Sequence, residues 1–134
     1  FDGIILAAAG LKRLGLLEQD TYEYTFLAPE EFIPAGGQGL MAVEAKAGTA
    51  AHSLAQAMDH AQGRLCLDLE RSVLKQLDAG CHEPIGIYSV LQNGQLEVWG
   101  ISSPREEVKR IHLTGGTSRR DIEKLASEAW KGLM

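Results

Sequence analysis

The dipeptide Asn93-Gly94 does most to limit what this chain can fold into. An Asn-Gly pair accepts positive φ at two successive residues, which is what a two-residue hairpin turn requires. It joins Ile85–Leu91 to Gln95–Ser102, two short runs rich in apolar and β-branched residues, so two antiparallel strands are expected. Ser103-Pro104 marks the next turn and Val108–Leu113 returns as a third strand. A sheet with one apolar face must be covered, and the flanking sequence offers helices. Thr49 can cap a helix over roughly Ala50–Ala61, with Leu54, Met58 and Ala61 on one face; Gly63 interrupts. A second helix over Arg64–Asp78 carries Cys66, Leu69, Val73, Leu74 and Leu77 at helical spacing, with Gly80 placed as a left-handed C-terminal cap. Gly115-Gly116 ends the strands. Ser118 then caps a last helix, Arg119–Lys131, whose apolar face is Ile122, Leu125, Ala126, Ala129, Trp130 and Leu133. Residues 49–134 therefore read as an α+β domain of order α-α-β-β-β-α. Its three helices are expected to cover the sheet over a core of Leu54, Met58, Leu69, Val73, Leu77, Ile87, Val98, Ile111, Leu125 and Trp130.

Residues 1–48 read differently. Phe1–Ala9 has the apolar continuity of a buried parallel strand, ended by Gly10, with a short helical turn over Leu11–Leu17. The stretch from Asp20 to Pro34 is an irregular connection anchored by Tyr22, Tyr24, Phe26 and Phe32. Pro34-Ala35-Gly36-Gly37-Gln38-Gly39 is the densest turn signal, and Leu40–Ala45 is a second short strand. Two buried strands need neighbours that the segment does not contain, so residues 1–48 are expected to be remnants of larger α/β units. Phe1 in place of Met, and the lack of a basic leader, point the same way, to a piece of a longer chain. Unpaired strands of this kind invite self-association.

Composition excludes whole classes of function. The net charge of -5 speaks against nucleic acid or an anionic membrane surface as partner. The longest uncharged apolar run, Gly3 to Leu11, is far short of a membrane span. With 45% apolar and 23% charged residues the chain is a soluble globular type. Two cysteines make no disulfide scaffold and fit a reducing compartment, the cytoplasm.

Few residues are candidates for chemistry. Cys81, in Gly80-Cys81-His82-Glu83-Pro84, lies in a short loop between helix and strand. It is either a reachable thiol, favoured as thiolate by a protonated His82, or a structural cysteine. Cys66 falls on an apolar helix face and reads as core. Cys66, Cys81 and His82 lack the paired spacing of a zinc site. The glycine-rich turn lacks the lysine of a phosphate loop. Gln38 between glycines suits either a backbone-lined ligand wall or an ordinary turn or hinge. Lys12-Arg13, after an apolar strand, is either a carboxylate-binding pair at a strand end or a solvated charge pair. His52, His60 and His112 have no carboxylate or nucleophile at readable spacing and are treated as surface or structural residues.

Three segments taken together carry a resemblance. Phe1-Asp2-Gly3-Ile4-Ile5-Leu6-Ala7-Ala8-Ala9-Gly10-Leu11-Lys12-Arg13-Leu14-Gly15 is the first. Pro34–Gly39 followed by Val43-Glu44 is the second. Glu70-Arg71, Leu74, Leu77 and Gly80-Cys81-His82-Glu83-Pro84-Ile85-Gly86 make the third. In this order they resemble signature stretches of the hydroxymethylbilane synthase (porphobilinogen deaminase) family. The resemblance implies an enzyme that joins four porphobilinogen molecules head to tail with release of ammonia, in tetrapyrrole and haem biosynthesis. It implies a dipyrromethane cofactor held by a thioether to Cys81. Arg13 would pair with acetate and propionate groups. Leu6, Ala7 and Gly10 would be backbone and wall positions of the same cleft, and Gln38 and Gly39 its hinge-side wall. The implied fold has two periplasmic-binding-protein-like α/β domains followed by a cysteine-bearing α+β domain, here residues 49–134. The family's N-terminal half, with its catalytic aspartate and most of its arginines, has no counterpart here, so the resemblance implies no catalytic residue in this chain. His82 departs from the compact residue usual after the cysteine. The alternative is a stand-alone module binding tetrapyrrole intermediates or a protein partner.

Overall fold

The computed structural model describes residues 2–19, 21–76, 84–103 and 107–134. Helix α1 spans Ala8–Arg13, α2 Ala50–Ala57, α3 Ala61–Gln76 and α4 Arg119–Leu133; strands β1 (Ile85–Gln92), β2 (Gln95–Ser102) and β3 (Lys109–Gly115) precede α4. The hairpin forms where the Asn-Gly pair requires it: Asn93 and Gly94 take φ of 52° and 77°. The sheet is an antiparallel meander in the order β1-β2-β3, as the sequence leads one to expect.

Register sorts its side chains into two faces. Ile87, Gly100 and Ile111 lie in one cross-strand row, Ser89, Val98 and Leu113 in the next, and Leu91, Leu96 and Gly115 in a third. These rows meet α3 and α4 in a core of Leu69, Val73, Ile87, Leu96, Val98, Leu125, Ala126, Ala129 and Leu133. The opposite face carries the row Tyr88, Trp99 and His112. The Trp99 and His112 rings stack with centroids 4.5 Å apart. His112 Nε2 also lies 3.2 Å from Glu97 Oε2, a pairing across strands that spacing along the chain could not reveal.

Helix starts follow from side-chain caps. Ser118 Oγ accepts from Asp121 N at 3.2 Å while Asp121 Oδ2 accepts from Ser118 N at 3.2 Å, a reciprocal box that opens α4. Thr49 Oγ1 accepts from His52 N at 3.3 Å at the start of α2. Gly63 does not break the second helix. His60 Nδ1 accepts from Gly63 N at 3.0 Å, which fastens the first turn of α3, and the interruption falls earlier, at Met58–His60.

Several expectations are corrected. Neither Phe1–Ala9 nor Leu40–Ala45 forms a strand: residues 2–7 and 41–46 lie in no strand or helix, and Ile4, Ile5 and Leu6 are exposed by 72%, 69% and 57%. A strand needs a partner's N–H and C=O groups, and among the described residues none is offered to them. The helix around Lys12-Arg13 starts at Ala8, so Arg13 sits in the last turn of α1 and not at the end of a strand. Leu54 and Met58 are 69% and 70% exposed and α2 holds no buried residue, so among the described residues α3 and α4, and not three helices, cover the sheet. Trp130 and Ile111 are half-buried. Leu77, Gly80 and Pro104, named above for the core, a cap and a turn, lie outside the described residues, as does Asp20.

Candidate functional site

The Pro34–Gly39 segment is built from two overlapping turns. Gln38 N donates to Ala35 O at 3.1 Å and Leu40 N to Gly37 O at 3.2 Å. Each turn has glycine at its third position, with φ of 75° at Gly37 and 84° at Gly39, where a side chain would be strained. The segment is seated on the sheet. Ile87 N donates to Pro34 O at 2.8 Å, so the turn pairs with the outer edge of β1. Gly36 lies so close that an added Cβ would come within 2.7 Å of both Ile87 Cγ2 and Leu74 Cδ1. Gly86 likewise admits Ile33 O, which an added Cβ would meet at 2.7 Å. A little earlier, the Arg110 guanidinium donates to Glu31 O at 3.3 and 3.4 Å.

Glu70 holds this arrangement from below. It is one of the few buried polar residues, 5% exposed. Oε2 accepts from Gly37 N at 2.7 Å; Oε1 accepts from Ser89 N at 2.8 Å and from Ser89 Oγ at 2.8 Å. One carboxylate therefore joins α3, β1 and the glycine turn. Three donors within hydrogen-bond range are what a buried carboxylate needs to offset lost hydration. The sequence pattern alone assigns Glu70 no role. The available signal was its position, four residues after Cys66 and three before Val73, on the apolar stripe of α3, where a charge is out of place unless partnered.

The site residues named from sequence divide as follows. Gln38 and Gly39 lie exposed on the outer limb of the double turn, and no hydrogen bond of the Gly39 N–H occurs among the described residues. Arg13 is exposed at the C-terminal end of α1, and no ion pair of its guanidinium occurs among the described residues. Leu6 and Ala7 are exposed and Gly10 half-buried. No hydrogen bond or ion pair among the described residues links Leu6, Ala7, Gly10 or Arg13 to the double turn. Cys81, His82 and Glu83 lie outside the described residues. The chain enters their segment from α3, which ends at Gln76, and leaves it into β1, which starts at Ile85. Cys66 is core, as its spacing suggests, and burial pushes its thiol pKa above the ordinary value.

Next to the turn, an open cleft of about 670 Å³ runs between residues 40–43, α2 and the start of α3. Leu40, Met41, Val43 and Met58 form its apolar wall, and His52 and Arg64 its polar rim. Arg64 is ion-paired with Asp59. No group of three or more metal-ligating side chains occurs among the described residues. Among them, too, no helix is long and apolar enough to cross a membrane.

By donor chemistry Arg13 and the double turn suit a polycarboxylate pyrrole cofactor: a guanidinium with no ion pair and a Gly39 N–H with no acceptor among the described residues. The family described as "Porphobilinogen deaminase, dipyromethane cofactor binding domain" matches residues 1–53, and "Porphobilinogen deaminase, C-terminal domain" matches residues 64–130. The chain is 43% identical over 99 residues to a porphobilinogen deaminase of Clostridium acetobutylicum, covering 74% of this chain and 33% of the relative. It is 44% identical over 102 residues to that of Chromobacterium violaceum, covering 75% and 32%. For a Coxiella burnetii relative the identity is 39% over 102 residues, with the same coverage. The chain thus spans about a third of the length of these curated relatives.

Proposed function

The chain belongs to the porphobilinogen deaminase family, and from that premise we propose that it is the C-terminal part of a hydroxymethylbilane synthase, a cytoplasmic transferase that polymerises porphobilinogen for tetrapyrrole biosynthesis. The observation that carries this reading is the order of the two family matches, with Gly80-Cys81-His82-Glu83-Pro84 inside the second, between α3 and β1. When bound, a dipyrromethane supplies the pyrrole end to which further units are added. The chain's own residues hold it. The Cys81 sulfur forms the thioether that keeps the cofactor and the product chain from diffusing away. The exposed Arg13 guanidinium takes a carboxylate side arm by paired N–H donors. The Gly39 N–H and the Gln38 side chain donate to a second arm from the edge of the double turn, and Leu6, Ala7 and Gly10 form apolar and backbone wall.

Acid–base catalysis is assigned to the part of the relatives' length that this chain does not span. One arginine cannot neutralise several acidic pyrroles, and loss of a general acid–base group alone lowers rates by roughly 10²–10⁴-fold. The 134-residue chain by itself is therefore inactive in this reading. Intact mass spectrometry of the complete protein tests the assignment. An adduct of dipyrromethane mass is expected, abolished by Cys81→Ser. An unmodified Cys81 in protein that still forms hydroxymethylbilane would overturn it, and turnover of porphobilinogen by the 134-residue chain would overturn its inactivity.

A further inference from the structure

We propose that Glu70 is a positioning residue. Its carboxylate clamps the Pro34–Gly39 double turn to α3 and β1, so that the Gln38–Gly39 wall is held in one fixed relation to the two elements between which Cys81 falls in the sequence. The second half of this statement rests on the function proposed above; the clamp itself does not. The geometry is specific. The two oxygens are divided between two structures: Oε2 serves Gly37 N at 2.7 Å, and Oε1 serves the Ser89 N–H and hydroxyl, both at 2.8 Å. Gly37 and Ser89 are far apart in the chain and, among the described residues, are joined by hydrogen bonds through this side chain. In the sequence Glu70 lies eleven residues before Cys81, and β1, which holds Ser89, starts four residues after it. A shift of the turn by one bond length would move the Gly39 N–H relative to α3 and β1.

A carboxylate is required because both oxygens must accept. In Glu70→Gln the amide oxygen can satisfy Ser89, but its NH₂ then faces the Gly37 N–H, donor against donor. Size and burial are kept, so β1 and the core should stand. Ser89→Ala is the contrasting variant. It removes one donor to Oε1 and leaves the Gly37 bond whole.

Amide hydrogen exchange on the 134-residue chain reads the clamp directly. In Glu70→Gln the Gly37 amide should exchange roughly tenfold faster or more, while the amides of Leu125 and Ala126 keep their protection and report an intact fold. In Ser89→Ala the Gly37 amide should keep its protection. An unchanged Gly37 in Glu70→Gln, or an equal loss in Ser89→Ala, overturns the clamp. Steady-state kinetics of the complete protein then read what the clamp is for. Glu70→Gln should raise KM for porphobilinogen with kcat little changed, the sign of lost positioning of a binding wall. A released Gly37 with unaltered KM overturns the positioning role. Failure of the unsubstituted protein to use porphobilinogen overturns the function proposed above, and the exchange result still decides the clamp.

Discussion

Residues 2–57 are richer in apolar residues than residues 61–134, yet the two regions meet opposite fates. In residues 61–134 α3, the three strands and α4 enclose side chains such as Leu69, Ile87, Val98 and Leu133 with essentially no exposure. In residues 2–57 no described residue is buried, although Ile4, Ile5, Leu6, Phe26, Phe32 and Met41 are all large and apolar. The difference is closure. The sheet carries its partners in the next few residues of the chain, whereas an isolated apolar run has no backbone groups to pair with and no second layer to cover it. Hydrophobicity decides that a segment will be buried if it can be; connectivity decides whether this chain can do it.

The largest effect that would break or sharpen this contrast is a core truncation. Leu69→Ala should destabilise by about 2–5 kcal/mol in urea unfolding, while Leu54→Ala on the exposed face of α2 should stay within about 0.5 kcal/mol of zero. Equal costs would mean that α2 is packed after all. Next comes the junction between the regions. Gly36→Ala pushes a methyl group into Ile87 and Leu74 and should cost about 1–3 kcal/mol. Gly10→Ala meets open space and should favour α1 by about 0.5–1 kcal/mol, measurable as helicity. Loss of the cap in Ser118→Ala should cost about 1 kcal/mol.

The smallest effects are those of pH. The Ser118 hydroxyl and N–H hold the Asp121 carboxyl below its ordinary pKa. Its contribution is thus present above the unfolded value and lost as pH falls through the folded one. Acid titration of Ser118→Ala should show a shallower decline than the parent. Burial holds the Cys66 thiol above its ordinary pKa, so that contribution is complete below the unfolded value and lost as pH rises through the folded one. Thermal scans in mild alkali should show the decline, and Cys66→Ala should remove it. Proteolysis adds a test without substitutions: cleavage should concentrate before residue 49 or, if copies associate through that segment, light scattering should report a dimer. A monomer resistant throughout residues 2–48 would erase the contrast.

What was legible in the sequence follows the same division. Asn93-Gly94, the Ser118 cap and the α4 stripe were read correctly because each depends on residues within a few positions of one another. Phe1–Ala9 and Leu40–Ala45 carry a strand pattern without forming strands among the described residues, because a strand is a property of two segments and the second is not there. Gly63 was misread as a break because the cap from His60 is invisible to a propensity argument. The glycine-rich turn that holds Gln38 and Gly39 was visible in the sequence. The seating of their turn was not, because it depends on Glu70 reaching Gly37 and Ser89 at once. A glutamate on an apolar stripe was the clue, and it points to a buried partner without saying which.

The outer edge of β1 is occupied by groups that are not a strand: Pro34 O takes the Ile87 N–H and Glu70 takes that of Ser89. Only β3 presents an edge without a neighbour among the described residues. A sheet open on one side alone can add one further strand or meet one identical copy edge to edge about a two-fold axis, and there the growth stops. Fibrils need a free edge at both ends of each unit. The carboxylate that seats the turn thereby also gives the sheet a polarity among the described residues, so that any edge-to-edge association through it would terminate at a pair.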